Sequence, residues 1–174
     1  TEISGSTGVN KIQDGTVVNA DINSSAAIAG SKLVMPTGSV LQVVQAVNTV
    51  RDIISATSFT ATSKTQTITP SSTSSKILVF CSYVINDNTT SDVTGYTTIY
   101  RGSTNLGHST YGIGKLRATT TRLETTQSIM YLDSPASTSA QTYTLYFRAT
   151  TANSFELPGN PGQHNTLTLM EIAG

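Results

Sequence analysis

Residues 76–85, KILVFCSYVI, are the stretch that decides the fold. Side chains alternate between the two faces of a β-strand. Here alternation produces two apolar faces, one with Ile77, Val79, Cys81, Tyr83 and Ile85, the other with Leu78, Phe80 and Val84. A strand that is apolar on both faces needs cover on both sides. We expect an opposing sheet of the same chain to cover one face and another subunit to cover the other.

More strand-like runs lie on both sides of this stretch, separated by segments rich in Ser, Thr, Asn and Gly. They are MPTGSVLQVVQAVN (35–48), SFTAT (58–62), TQTIT (65–69), YTTIYRG (96–102), RLETTQSIMYLD (122–133), QTYTLYFRAT (141–150) and NTLTLMEIA (165–173). Many short strands with turn signals between them, and no long helical pattern, predict an all-β protein built as an antiparallel sandwich or barrel. In QTYTLYFRA, alternation places Tyr143, Leu145 and Phe147 on the core face, and Tyr146 and Arg148 on a partly wet face.

The composition favours β-structure and disfavours two classes of function. Ser and Thr make up 53 of the 174 residues, whereas the residues that best form exposed helices are sparse. Charged residues are only 11% of the chain and balance to zero net charge, so there is no basic stripe for nucleic acid and we expect no nucleic-acid partner. No apolar run approaches the roughly 20 residues of a membrane-spanning helix.

The amino-terminal segment, residues 1–35, has a different pattern of apolar residues. Its stretch DGTVVNADINSSAAIAGSKL (14–33) carries isolated apolar residues five or six positions apart, which fits neither an amphipathic helix nor an alternating strand. One chain of this kind buries too little apolar area to offset its conformational entropy. The segment is therefore either disordered or shares a core with copies of itself.

The same stretch, followed by PTGSVLQVVQ and a carboxyl-terminal NTLTLMEIAG, resembles fibre and appendage proteins of tailed bacteriophages. In that family a repetitive shaft element precedes a compact β-rich head. The resemblance implies a homotrimeric stalk over residues 1–35 and a β-sandwich, jelly-roll-like head over residues 36–174. It also implies a place on the virion and attachment to a host surface polysaccharide or outer-membrane protein. Only one copy of the shaft element is present, and nothing resembles a docking module of long fibres.

A trimer explains how a segment with so few apolar residues can form a core. Three copies would bring each apolar residue of the stalk to a common axis and triple the apolar area at each level. The predicted axis residues are Ile12, Val17, Ile22, Ile28 and Leu33.

Catalytic and metal-binding patterns are weak in this sequence. His108 and His164 lie far apart without neighbouring ligands, and no Gly-x-Ser-x-Gly motif occurs. The carboxylates available for glycoside cleavage show no spacing that predicts a catalytic pair; they are Asp87, Asp92, Glu124, Asp133 and Glu156. The glycine-containing YGIGKL (111–116) lacks the features of a phosphate loop and is interpreted as an exposed turn. We expect no catalytic residue, no metal and no cofactor.

Two polar stretches have the composition of recognition loops, residues 102–122 and 154–165. Exposed aromatic, Arg and amide groups suit sugar or protein epitopes, and loops on rigid scaffolds often carry function. The candidate receptor-binding residues are His108, Tyr111, Lys115, Arg117, Arg122, Phe155 and His164. The alternative is that these are ordinary loops or trimer contacts.

These observations lead to one hypothesis and two alternatives. The first is a homotrimeric virion fibre whose head binds the host-cell surface without catalysis. The second is a purely structural appendage or decoration that contacts other virion structural proteins. The third is a polysaccharide-degrading tip.

Overall fold

The computed structural model describes residues 20, 22–23, 25, 33–87, 92–119, 123–152, 155–158 and 162–174. The chain divides into two units, Thr1–Val34 and Met35–Gly174. In the first unit, the predicted axis residues Ile22 and Leu33 are exposed. The other three, Ile12, Val17 and Ile28, lie outside the described residues.

The second unit consists of β-strands joined by turns and loops. Its strands are β1 (Val40–Asn48), β2 (Asp52–Ile54), β3 (Thr60–Ile68), β4 (Lys76–Asp87), β5 (Val93–Arg101), β6 (Thr104–Asn105), β7 (Gly114–Ala118), β8 (Leu123–Asp133), β9 (Gln141–Ala149), β10 (Phe155–Leu157) and β11 (Asn165–Ile172). Among the described residues, no helix is long and apolar enough to cross a membrane.

The strands form two antiparallel sheets. In the first sheet β1 pairs with β11, β11 with β4, and β4 with β8. β4 also pairs with β10, and β10 with β2, so that β10 lies in line with β11 and β2 lies in line with β1. In the second sheet β3 pairs with β9, β9 with β5, and β5 with both β6 and β7. Counted as eight strands, with β2 joined to β1, β7 to β6 and β10 to β11, the first, eighth, third and sixth strands form one sheet. The second, seventh, fourth and fifth form the other, and this is the strand order of a jelly roll. The predicted all-β antiparallel sandwich is confirmed.

The core lies between the two sheets and is filled by alternate residues of their central strands. Ile77, Val79, Cys81, Tyr83 and Ile85 of β4 are all fully buried. Opposite them, Tyr143, Leu145 and Phe147 of β9 are also fully buried, as the alternation in residues 141–149 predicts. The structure thus confirms the core face predicted for β9, and it decides which of the two apolar faces of β4 is the core.

The sequence prediction divided one strand into two and missed several strands that are short. SFTAT and TQTIT form one strand, β3, whose register shifts between Ala61 and Thr65. Residues 114–116 of the predicted exposed turn belong to β7, where Leu116 is buried, so that interpretation was wrong for these residues. β10 replaces part of a predicted loop. Its three residues carry no period that sequence reasoning detects, and only their pairing with β2 and β4 makes them a strand.

Candidate surface-binding site

The outer face of the second sheet carries a row of aromatic and basic side chains. On this face Tyr96 of β5 lies opposite Arg148 of β9 on one side and opposite Lys115 of β7 on the other. In the next row, Thr94 lies opposite Arg117. Direct cross-strand neighbours have Cβ atoms about 4.5–5.5 Å apart, so antiparallel pairing brings together residues that are distant in sequence.

Arg148 occupies the centre of this face. Its guanidinium lies 4.8 Å from the ring centroid of Tyr96 and 5.7 Å from that of Phe59. Its Nε donates a 2.7 Å hydrogen bond to the carbonyl oxygen of Thr110, and its Nη1 donates a 3.1 Å bond to that of Thr57. Contacts between a cation and the faces of two rings orient the rings and attach the neighbouring loops to the sheet.

One of those loops, residues 106–113, is held by backbone hydrogen bonds. Leu106 N–H donates to Ile99 at 2.9 Å and Ile113 N–H donates to Thr97 at 2.7 Å. His108 and Gly112 exchange two further backbone bonds. Gly112 has a φ of 63° in the left-handed region, which allows the loop to close this tightly.

His108 and Tyr111 form an exposed aromatic pair at the tip of this loop. Their ring centroids are 4.9 Å apart with an interplanar angle of 22°, and the Tyr111 ring lies 5.6 Å from that of Tyr96. His108 Nδ1 accepts hydrogen bonds from the N–H groups of Thr110 and Tyr111. A neutral imidazole that accepts at Nδ1 has its proton on Nε2, where it is a donor. Tyr111 keeps 59% of its surface exposed.

An open groove of about 320 Å³ lies beside this pair. It is lined by Thr57, Ser58, Phe59, Tyr100, Ser109, Thr110 and Arg148. Tyr146 stacks on Tyr100 with centroids 3.8 Å apart, and Tyr100 meets Phe59 edge to face at 6.5 Å. We call Phe59, Tyr96, Tyr100, His108, Tyr111 and Tyr146 the aromatic cluster.

Arg117 forms an ion pair at the border of this face. Its Nε and Nη2 donate to the two carboxylate oxygens of Asp92 at 3.0 and 2.6 Å. The hydrogen bonds from Arg117 hold the pKa of Asp92 below its usual value, and those to Asp92 raise the pKa of Arg117. Both side chains are exposed, so the pair orients Arg117 without adding much stability.

A comparison with protein-family models finds no family that matches the chain. A comparison with curated proteins finds no similar sequence.

The structure brings four of the sequence-predicted residues to this face: His108, Tyr111, Lys115 and Arg117. His164 is exposed but precedes β11 of the other sheet. Arg122 lies outside the described residues.

Phe155 is a correction to the predicted contact set. It is fully buried and packs against Phe147 with ring centroids 4.9 Å apart. The strand pairing of β10 with β2 and β4 draws it into the core, so it offers no surface to a receptor.

Sequence reasoning missed several residues of the aromatic cluster. Phe59, Tyr96 and Tyr100 lie in strand-like runs, where aromatic residues are ordinarily core residues. Alternation did place Tyr146 and Arg148 on the wet face of their strand. The missing signal was the register of β5 against β9, which sets Tyr96 beside Arg148.

Of the carboxylates considered for glycoside cleavage, Glu124 and Glu156 lie on either side of Asn86 in one cross-strand row, whereas Asp92 and Asp133 lie elsewhere. Asp133 accepts hydrogen bonds from Arg101 and Tyr143, Glu156 contacts Arg51 and Asn86, and Asp92 pairs with Arg117. Within the described part of the chain, no three His, Cys, Asp or Glu side chains lie close enough together to hold a metal ion.

Proposed function

We propose that this chain is a homotrimeric fibre protein of a bacteriophage virion whose head binds the host-cell surface without catalysis. The observation that carries the proposal is the exposed pair of His108 and Tyr111, which lies against Tyr96 of the sheet, opposite which Lys115 is placed. The resemblance of the amino-terminal segment to phage shaft elements supports the place on the virion.

The ligand class that suits this face is a surface polysaccharide. An aromatic ring offers a flat apolar surface for the C–H face of a sugar, and Tyr adds a hydroxyl for hydrogen bonding. His108 Nε2–H, the Tyr111 hydroxyl and the Lys115 ammonium are donors for sugar hydroxyl or acidic groups. Because Arg148 and the backbone bonds hold the loop in place, little ordering entropy is lost on binding.

Three heads on one stalk would bind a repeating polymer more tightly than one head. Linked sites raise the effective concentration of each further contact and increase avidity by factors on the order of 10² to 10⁴. Weak binding at a single head is therefore compatible with firm attachment of the fibre.

Binding of the labelled full chain to a panel of bacterial strains tests the proposal. We expect saturable binding to at least one strain, competed by its purified surface polysaccharide. Tyr111→Ala and Lys115→Ala should each weaken binding by about tenfold or more, equivalent to about 1.4 kcal/mol. Thr67→Ala, an exposed change at the far edge of the same sheet, should leave binding unchanged.

Other outcomes would favour the two alternatives. Absence of binding to every strain, together with tight association with isolated virion proteins, would replace adhesion by a structural appendage role. Release of reducing sugars from the polysaccharide, lost on substitution of a carboxylate, would replace it by depolymerisation.

A further inference from the structure

The outer face of the first sheet has no cover within the described chain. One row of apolar side chains crosses all four of its strands, because Val43 lies opposite Met170, Met170 opposite Leu78, and Leu78 opposite Leu132. In the adjacent row Phe80 lies opposite Met130. We call these six residues the apolar face.

Four of these six side chains are exposed, and three of them keep more than half of their surface in solvent. Met130 is 61% exposed, Val43 53%, Leu132 51% and Phe80 37%. Single exposed apolar residues are ordinary on protein surfaces, whereas a contiguous set marks an interaction site. Nothing in the core explains their presence, because their strand neighbours already fill the inner face.

The face is also almost free of charge. Among the described outward positions of β1, β4, β8 and β11, the charged residues are Lys76 and Glu124, at opposite ends of the sheet. The remaining outward positions are apolar, Ser, Thr or amide residues. Identical copies of such a face can meet without like charges being brought together, as a symmetric assembly requires.

The size of the face matches that of an interface. Strands lie about 4.8 Å apart and rise about 3.3 Å per residue, so four strands over nine residues cover on the order of 19 by 30 Å. That is a flat area on the order of 570 Å², which approaches the roughly 600–1,000 Å² that each partner buries in a specific, stable interface.

We propose that the apolar face is covered by a second copy of this chain, so that heads associate through it. The trimeric number rests on the proposed function; the self-association of the face does not. Since the aromatic cluster lies on the other sheet, heads packed through the apolar face would present their aromatic clusters outward.

Methionine oxidation of the full chain tests the proposal directly, because Met130 and Met170 lie on the face and Met35 lies outside it. With hydrogen peroxide as the probe and peptide mass spectrometry as the readout, Met130 should oxidise about tenfold more slowly in the wild type than in Leu132→Glu, once normalised to Met35. Light scattering of the wild type should show at least twice the 18.3 kDa mass of one chain, and a mass of one chain would overturn the proposal. Thr142→Glu, an exposed strand position of the other sheet, should keep both the mass and the protection.

The proposal is overturned if Met130 of the wild type oxidises as fast as Met130 of Leu132→Glu. If Leu132→Glu fails to fold, as judged by circular dichroism, the oxidation rate of wild-type Met130 is measured instead at protein concentrations above and below the one at which the assembly dissociates. Met130 should oxidise faster at the lower concentration. Failure here is distinct from failure of the proposed function. If the chain binds cells but Met130 is unprotected, only the proposed interface is wrong. If Met130 is protected but the chain binds no cells, only the proposed adhesion is wrong.

Discussion

The Tyr143 hydroxyl donates a 2.7 Å hydrogen bond to Asp133 Oδ2 and so links the two sheets of the sandwich. Arg101 donates a second bond to the same oxygen at 2.6 Å. Burial raises the pKa of Tyr143, and the adjacent carboxylate raises it further, so the phenol stays protonated and remains a donor. Because Asp133 is also buried, each bond compensates a carboxylate that has lost its water.

Tyr143→Phe should therefore destabilise the fold. The substitution keeps the ring but removes a hydrogen bond to a charged group, which costs about 1.5–3 kcal/mol in the free energy of unfolding. Urea denaturation measures the loss. Tyr146→Phe, whose ring stacks on the surface, is the matched control and should change stability by less than about 0.5 kcal/mol. Equal losses in the two variants would contradict a special role for the link to Asp133.

Stability should fall in acid because of Glu171. Burial raises the pKa of this fully buried carboxyl, but hydrogen bonds from Ser71, Ser75 and Gln42 outweigh burial and hold the pKa below its ordinary value of 4.5. A lowered folded-state pKa means that the unfolded chain binds more protons in this range. The stabilisation is thus complete above pH 4.5 and is lost as pH falls through the folded pKa.

Glu171→Gln tests this dependence. At pH 7 the variant should be less stable than the wild type by about 1.5–3 kcal/mol, because charged hydrogen bonds are lost. The difference should shrink as pH falls towards 3, measured by urea unfolding across the range. A difference independent of pH would show that the charge of Glu171 is not responsible.

Cys81 should be unreactive in the native protein. Burial raises the pKa of this fully buried thiol to about 12, and the sequence contains no other cysteine. At pH 8 the thiolate fraction is then about one part in ten thousand, and the reagent has no access to it. Labelling with iodoacetamide should be at least about a hundredfold slower in buffer than in denaturing urea. Native labelling at the rate of a free thiol would contradict the buried position.

Gly112→Ala should displace the loop that carries His108 and Tyr111. A Cβ at this position would clash with the backbone carbonyl of Thr97, and the positive φ adds strain. We expect binding to host cells to fall by about tenfold, or about 1.4 kcal/mol, and stability to fall by about 1–3 kcal/mol. Gly102→Ala has a positive φ but open space, so it should keep binding. If Gly112→Ala still binds host cells as the wild type does, the geometry of this loop is not required for recognition.

Much of the fold could be predicted because strand periodicity is a local property. The alternation in residues 141–149 assigned a core face that the structure confirms, whereas in residues 76–85 it showed two apolar faces without deciding which is the core. Short pairings were not predictable, since β7 and β10 become strands only through partners far along the chain. The candidate site was predicted in part, because its exposed loop residues have a distinctive composition while its ring partners do not.

By itself the sequence determined the all-β class, the core face of β9 and the presence of two apolar faces on β4, because these follow from patterns along single strands. Only the tertiary structure decided that Phe155 is buried, that Tyr96 lies beside Arg148, and that Val43, Leu78 and Leu132 form one row. Those relationships depend on strand order and register between distant segments. Register is set by the packing of the whole sandwich and cannot be obtained from any one strand.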